Sequence, residues 1–288
     1  MKFETLDDLL ASYEREERIL TPTAIAALPW QDVSRTMFDE CWLPVMLYMR
    51  DVETYTEVYY EELKRSATGK HPAIRRFMDR WVTEEPVHGE LLERFLEEAG
   101  VAIPQNWKAR AFSAIPKTYT DATKRNGWIT RGLGFHFAAV HMTWGAINEL
   151  STLTGYRRLW ELAKHPMLEK LLRAIAREEA RHIFFYWNAA RILLQQSPFR
   201  QRLTRFIIEK FWSPVGEGAK PAADTNRIIQ LLFRGEEGLA LMEKFVNDKI
   251  AALPGMEGFT RVTTRIAESL ATPNALFPAI SPINLSRF

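Results

Sequence analysis

Helical periodicity runs through most of the chain. Apolar residues recur three and four positions apart over long stretches, and no stretch shows the sustained alternation of apolar and polar residues that strands produce. The pattern predicts a series of helices at about 4–19, 32–65, 71–99, 129–163, 166–196, 199–212, 225–252 and 256–271. Glycine and proline separate many of them, as at Gly69, Pro166 and 213–218. The predicted fold class is therefore all-α.

Two segments fall outside this helical pattern. The connection at 100–128 is too long for a simple turn, so we expect a crossover with a short helix of its own. The tail at 272–288 contains Pro273, Pro278 and Pro282, which predict an extended segment after the last helix.

Two Glu-x-x-His units lie inside predicted helices, Glu85 with His88 and Glu179 with His182. Residues three apart share a helix face, so each unit directs one carboxylate and one imidazole the same way. In both helices these residues continue an apolar stripe that faces the core. Since an unpaired carboxylate or imidazole is costly in a core, the pattern indicates groups that are paired or bound to metal.

A single glutamate precedes each unit. Glu53 lies 32 residues before Glu85, Glu149 lies 30 residues before Glu179, and both continue apolar stripes of their own helices. This weak repeat predicts two helix pairs, each of which supplies half of one site. Three glutamates on the same predicted helix are alternatives to Glu53: Glu57, Glu61 and Glu62.

Together these residues make four carboxylates and two imidazoles, the ligand set of ferritin-like di-iron carboxylate bundles. Oxygen-rich ligands with imidazoles suit iron or manganese. We therefore predict a ferritin-like four-helix bundle with additional helices, as one domain over 1–288, because the candidate ligands reach from Glu53 to His182. The expected cofactor is two iron ions (Fe²⁺), with a manganese–iron pair as the alternative.

Composition excludes several other classes of site and partner. The 38 basic and 36 acidic residues leave a net charge of +2, which gives no general argument for nucleic-acid or membrane binding. Cys41 is the one cysteine, so an intrachain disulfide, a zinc–thiolate cluster and an iron–sulfur site are excluded. Residues 1–20 are too charged for a signal peptide, and the longest uncharged stretch, 133–148, is short for a membrane span. We expect a soluble, cytoplasmic protein.

Two stretches are locally basic, 64–80 and 108–131, and each contains a single acidic residue. Either stretch could dock an acidic partner, although ordinary solvated helix faces and loops explain them equally well. Charge alone does not decide between these interpretations.

The blocks around the two units resemble a known family. Trp81–Gly89 reads W-V-T-E-E-P-V-H-G and Glu178–His182 reads E-E-A-R-H, which resembles the soluble acyl-[acyl-carrier-protein] desaturases, in particular their shorter bacterial members. Tyr186, four residues after His182, also fits the pattern. The chain departs from the family pattern at Pro86 and Val87 and over its C-terminal third.

The resemblance covers about 45–190 and implies roles for residues at matching positions. It places Thr152 near the oxygen-binding side of the site, as the candidate catalytic residue. It also implies six iron ligands: Glu53, Glu85, His88, Glu149, Glu179 and His182.

The implied activity is an O2-dependent desaturation of a fatty acyl chain carried by acyl carrier protein or another acyl thioester. The implied partners are a ferredoxin-type electron donor and a second copy of the chain in a homodimer. An acidic acyl carrier protein would suit the basic stretch 64–80. Apolar residues near the site are candidates for an acyl channel: Phe135, Met142, Trp144, Leu153 and Phe184.

Other functions use a similar ligand set. The main alternative is a ferritin-like di-iron oxygenase that hydroxylates or N-oxygenates a small or carrier-bound substrate, and iron storage or peroxide detoxification is a second. A ribonucleotide-reductase subunit fits less well, because Leu92 stands where that family has its radical tyrosine. A metal-free bundle would have to explain six inward polar residues at matched spacing. His141, two turns before Glu149, could line the site or hydrogen-bond a metal ligand, with an ordinary core or surface position as the alternative.

Overall fold

The structure is a computed structural model that describes residues 3–119 and 132–272. Within these ranges the regular elements are helices and no strand is present, which confirms the predicted all-α fold class. The α-helices are α1 Leu6–Glu14, α2 Pro22–Ala26, α3 Leu43–Thr54, α4 Thr56–Arg65, α5 Pro72–Glu98, α6 Trp107–Ser113, α7 Ala138–Ala163, α8 Pro166–Gln195, α9 Pro198–Phe211, α10 Ala222–Phe233, α11 Glu236–Met242, α12 Asp248–Ala251 and α13 Arg261–Ala271. Shorter turns join some of them: 3₁₀ segments at Trp30–Arg35, Glu40–Trp42 and Gly134–Phe137 and a π-helical turn at Glu243–Asn247.

Two helix pairs form the centre of the bundle. Helix α3 packs along α5, α7 packs along α8, and α5 also contacts α8. Helix α1 lies against α5 and α8, while α10 packs against α3 and α7. No helix of the described ranges combines the length and the apolar character that a membrane crossing requires.

The predicted helix 32–65 is wrong before residue 43, where no α-helix forms, and the remainder is divided into two helices at Tyr55. Residues 30–42 contain two 3₁₀ turns, and the α-helix begins with Pro44 in its first turn, where proline needs no backbone hydrogen bond. Tyr55 separates α3 from α4, and the hydroxyls of Thr54 and Thr56 on either side donate to backbone carbonyls of the preceding turn. Such side-chain bonds compete with the helical ladder.

Other predicted boundaries also shift. Gly235, with a left-handed φ of 87°, divides the predicted helix 225–252 into α10 and α11. The predicted helix 4–19 ends at Glu14, α13 begins at Arg261 instead of 256, and α7 begins at Ala138 behind a 3₁₀ turn. The helices predicted at 71–99, 166–196 and 199–212 agree with α5, α8 and α9 to within one residue.

The turn between α7 and α8 sets the level of two candidate ligands. Lys164 ends α7 with a left-handed φ of 49°, His165 accepts a hydrogen bond from a first-turn N–H of α8 at 3.2 Å, and Pro166 begins that helix. This tight turn makes α7 and α8 an antiparallel pair. Glu149 lies 15 residues before Lys164 and Glu179 lies 15 residues after it, so the two carboxylates stand level.

Two glycines allow the ligand helices to approach closely. A Cβ at Gly89, next to His88, would lie 2.8 Å from the backbone oxygen of Arg50 in α3. A Cβ at Gly145 on α7 would lie 2.3 Å from the ring of Tyr186 in α8. Larger residues at these positions would push the paired helices apart.

The connection at 100–128 contains the predicted short helix, α6. The guanidinium carbon of the buried Arg50 lies 4.4 Å from the centre of the Trp107 ring, which belongs to this helix. Residues 120–131 lie outside the described ranges, and so does the predicted extended tail after Thr272. The single-domain organisation over 1–288 stays a prediction.

Candidate metal centre

The six candidate ligands come together inside the bundle as two overlapping groups, and all six are buried. In each group one potential ligand atom from every residue lies within 4.8 Å of the others. Glu85 and Glu179, the shared carboxylates, belong to both groups, which suits them to bridge two metal ions. The first group is Glu53, Glu85, His88 and Glu179, and the second is Glu85, Glu149, Glu179 and His182.

The imidazole of each Glu-x-x-His unit faces the glutamate of the other unit. His88 Nδ1 lies 3.0 Å from Glu179 Oε1, and His182 Nδ1 lies 2.8 Å from Glu85 Oε1. The ring centres are 6.0 Å apart. Each imidazole therefore directs its Nδ1 towards the shared carboxylate of the opposite helix.

Three buried atoms of this centre face a polar atom at 2.8 or 3.0 Å without making an aligned hydrogen bond to any described residue: Glu85 Oε1, His88 Nδ1 and Glu179 Oε1. Buried polar atoms without partners are rare in folded proteins and call for a missing ion or water. These three belong to residues whose ligand atoms already converge within 4.8 Å. Their lone pairs, together with the carboxylate-rich donor set, fit a pair of iron or manganese ions.

Each imidazole is held from behind by a further carboxylate. His88 Nε2 lies 3.1 Å from Glu178 Oε2, and His182 Nε2 lies 2.8 Å from Glu84 Oε2. In both motifs, Glu-Glu-x-x-His supplies one inward carboxylate and one that backs the histidine of the other unit. A carboxylate in this position fixes the ring and makes the opposite nitrogen a better ligand.

Both backing carboxylates are anchored to the segment between α1 and α2. Glu178 Oε1 accepts hydrogen bonds from the backbone N–H groups of residues 19 and 20, each at 3.2 Å. Glu84 Oε1 accepts a hydrogen bond from Arg80 Nε at 2.8 Å, and both terminal nitrogens of Arg80 donate to the Glu16 carbonyl at 3.2 Å. This N-terminal segment therefore closes the back of the centre.

The two lone glutamates have different hydrogen-bond donors. The Tyr156 hydroxyl donates to Glu53 Oε1, and the Trp81 indole N–H donates to Glu149 Oε1 at 3.0 Å. Among the glutamates considered for this position, Glu53 is the one that joins the centre. Its three alternatives do not join either group: Glu57 and Glu61 are exposed, and Glu62 lines the neighbouring cavity.

Burial and charge act on the pKa values of the centre in opposite ways. Burial raises the pKa of Glu53 and of Glu149 well above the ordinary range, and the shared carboxylates raise it further. Burial lowers the pKa of His88 and of His182, but the surrounding carboxylates outweigh burial and raise both well above the ordinary value. The cluster thus favours positive charge at its centre, as a bound cation provides.

A cavity of about 390 Å³ lies beside the centre. Glu53, Glu85 and Glu149 form part of its wall, and Thr152 lines it one turn beyond Glu149. Thr152, predicted to be catalytic, therefore borders the space from which a ligand would reach the carboxylates. Tyr186 lines the same cavity.

A smaller cavity of about 80 Å³ adjoins the first, because Glu53 and Thr152 line both. Residues 214 and 215 of the loop after α9 also line both, and Tyr48 donates a hydrogen bond to the Val215 carbonyl at 2.7 Å. The far wall is largely apolar and includes Ile228, Ile229, Leu232, Phe233 and Met242. The larger cavity, which borders carboxylates of the centre, is therefore adjoined by a smaller and largely apolar one.

The predicted channel residues are mostly wrong for these cavities. Trp144 lines the larger one, but Leu153 lines neither, Met142 is fully buried in the core, Phe184 meets Phe3 edge-on and Phe135 stacks on His71. Helical periodicity shows which residues face inwards. It does not show which inward residues border empty space.

Sequence reasoning missed the residues that support the ligands. Glu84 and Glu178 could have been found, because each forms a Glu-Glu pair with a predicted ligand. Tyr156 could also have been found from the sequence, since it lies seven residues after Glu149 and so returns to the same helix face. That Trp81 donates to Glu149 depends on how α5 meets α7, and no local pattern indicates it.

Comparison with known proteins is consistent with this centre. A family model described as "Fatty acid desaturase" matches residues 46–206, more than half of the chain. The matched range contains Thr152 and all six candidate ligands. No curated protein and no solved structure matches the chain. The chain therefore belongs to the fatty acid desaturase family and is an oxidoreductase.

Proposed function

We propose that the protein is an O2-dependent di-iron desaturase that introduces a double bond into a carrier-bound fatty acyl chain. The observation that carries the proposal is the pair of ligand groups that share Glu85 and Glu179 beside a cavity of about 390 Å³. Family membership supports an acyl substrate. The residues proposed to hold two iron ions, or a manganese–iron pair, are Glu53, Glu85, His88, Glu149, Glu179 and His182.

The reaction requires a redox metal because side-chain acids and bases cannot break an unactivated C–H bond. Bound iron would supply the oxidation of two adjacent methylene groups by O2. One hydrogen leaves each methylene, and two electrons with two protons arrive from outside, so that O2 ends as two water molecules. The electrons are proposed to come from a ferredoxin-type donor.

The protein's own residues position the substrate and shape the centre. The apolar walls of the two cavities would take the acyl chain and exclude water from the reacting carbons. Trp81 and Tyr156 fix the carboxylates of Glu149 and Glu53 by hydrogen bonds. Thr152 presents a hydroxyl in the wall that both cavities share, where it can hold a water molecule or pass a proton.

An acidic acyl carrier protein is the proposed carrier, but most of the basic stretch 64–80 is already paired. Lys64, Arg75 and Arg80 contact acidic side chains at 2.5, 2.6 and 2.8 Å. Arg65 has longer ion pairs with Glu61 and Glu62, at 3.8 and 3.9 Å, but its side chain is 61% exposed and lines the large cavity, so it is our candidate for the first contact with the carrier. The proposal keeps the homodimer and the cytoplasmic location expected from the sequence.

The test is product analysis with iron-loaded protein, O2, a reduced ferredoxin and a series of acyl carrier proteins that bear saturated chains. Loss of two hydrogens from the acyl chain, absent in a Glu85→Ala, Glu179→Ala variant, supports desaturation. Gain of one oxygen would move the assignment to a hydroxylase. Unchanged acyl chains with a fully loaded centre would refute an acyl substrate.

A further inference from the structure

His141 lines the large cavity but belongs to neither ligand group of the metal centre. It lies on α7, eight residues before Glu149, which corresponds to roughly 12 Å along the helix axis. Phe137 packs edge-on against its ring, with the centroids 4.5 Å apart. Arg65 and Ser66 line the same cavity as His141, whereas the adjoining smaller cavity, which Thr152 also lines, is largely apolar. A ligand with a polar head and an apolar tail would fit these two adjoining cavities.

The hydrogen bonds of His141 fix which atom it presents. Its Nδ1 lies 2.7 Å from the hydroxyl of Thr68, a residue that is 1% exposed. Among the described residues, the Thr68 hydroxyl makes its hydrogen bond to this nitrogen alone. A buried hydroxyl hydrogen needs an acceptor, so we assign Thr68 as donor and Nδ1 as acceptor. The ring then carries its own hydrogen on Nε2.

The Nε2–H group is available to a ligand. No residue of the described ranges is recorded as a hydrogen-bond partner of Nε2, and the side chain lines the cavity. Burial lowers the pKa of His141 to about 3, so the ring is neutral near pH 7. A neutral imidazole can donate from Nε2 to a neutral carbonyl oxygen without placing a charge in the cavity.

We propose that His141 is a positioning residue that donates a hydrogen bond from Nε2 to the carbonyl oxygen of an acyl thioester, with Thr68 holding the ring. This inference rests on the proposed function, because it requires an acyl chain in the cavity. It adds a polar anchor point at a fixed distance from the centre. The anchor determines which methylene groups of the chain come beside Glu149 and Thr152.

The test is calorimetric binding of two probes to the full-length protein. One probe is S-dodecanoyl pantetheine, a thioester, and the other is S-dodecyl pantetheine, a thioether that lacks the carbonyl oxygen. The wild type should bind the thioester about fivefold more tightly, the effect of one neutral hydrogen bond. His141→Leu should remove this preference, His141→Gln should retain part of it because the amide can donate, and Thr68→Val should weaken it.

His136→Leu is the matched control, because His136 is exposed and meets Phe199 edge-on at 5.3 Å. It should leave the preference unchanged. If the wild type binds both probes equally, or if His141→Leu keeps the preference, the role of His141 is refuted while an acyl-binding cavity stands. If neither probe binds, the acyl cavity and this inference fail together.

Product analysis gives a second readout that a purely structural role would not change. With an active wild type, a single double-bond position is expected. His141→Leu should give a mixture of neighbouring positions at unchanged iron content. A single unchanged position in the variant would contradict an anchoring role.

Discussion

Histidines in two regions of this bundle have opposite electrostatic surroundings. His88 and His182 lie among carboxylates, which raise their pKa well above the ordinary value although burial acts the other way. His141 meets a hydroxyl and an aromatic ring, and burial alone lowers its pKa to about 3. Burial lowers the pKa of all three imidazoles, and only neighbouring carboxylates reverse that effect. One region collects charge for cations, and the other presents a neutral donor.

The largest expected effect is loss of metal from the carboxylate-rich region. Glu179→Ala removes a carboxylate that both ligand groups share, so binding of both ions should be lost. Glu53→Ala removes a ligand from one group and should retain more metal than Glu179→Ala. Elemental analysis after ferrous loading measures both, with helix content by circular dichroism as the control for folding. Equal metal content in the two variants would contradict the sharing of Glu179.

A smaller effect is expected from the carboxylates behind the two histidines. Glu84→Gln and Glu178→Gln keep the size of the side chain but remove the charge that faces His182 and His88. We expect metal affinity to fall about 10- to 100-fold in each, the usual effect of losing such a partner. Competition with a chelator of known affinity measures it. Wild-type affinity in both variants would show that these carboxylates serve only the metal-free fold.

The free energy of unfolding should depend on pH through His141. His141 is neutral in the folded protein down to about pH 3, whereas its unfolded value is 6.5. The unfolded chain therefore takes up a proton below pH 6.5, and stability is lost as pH falls from 6.5 to about 3. The full contribution is present above pH 6.5.

Denaturant unfolding of the wild type and of His141→Gln across this range isolates the effect, because all other groups are common to both. The wild type should lose roughly 1 kcal/mol more than the variant for each pH unit. Parallel curves would mean that His141 is not held neutral by the fold.

The smallest expected effect comes from Thr68. Thr68→Val removes the hydroxyl that His141 Nδ1 accepts from, and the free energy of unfolding should fall by about 1 kcal/mol. Iron content should stay at the wild-type level, because Thr68 belongs to neither ligand group. A loss of iron in this variant would mean that the two regions are not independent.

The residues of the centre could be selected from the sequence because their spacing within each helix shows which way they face. Residues three apart share a helix face, so each Glu-x-x-His unit could be oriented without knowledge of its neighbours. The equal spacing of Glu149 and Glu179 from the turn at Lys164 reflects the same regularity. That these residues hold metal is a prediction until metal is measured.

What could not be predicted depends on contacts between distant segments. The bond between Thr68 and His141 joins residues 73 positions apart, and no helical spacing specifies which segment faces His141. The loop after α9 lines both cavities and is bonded to α3 by Tyr48 at the Val215 carbonyl and by Lys220 at Asp51. The break at Tyr55 arises from threonine hydroxyls that also favour other backbone conformations.

The most direct test of the central claim is the iron content of the wild-type protein after anaerobic ferrous loading and removal of free metal, beside the Glu85→Ala, Glu179→Ala variant. The account predicts about two irons per chain in the wild type, as in di-iron carboxylate bundles, and none bound in the variant. A wild type without stoichiometric iron or manganese would contradict it. The buried Glu–His cluster would then be an ion-pair network of the fold, and the proposed oxidation chemistry would have no centre.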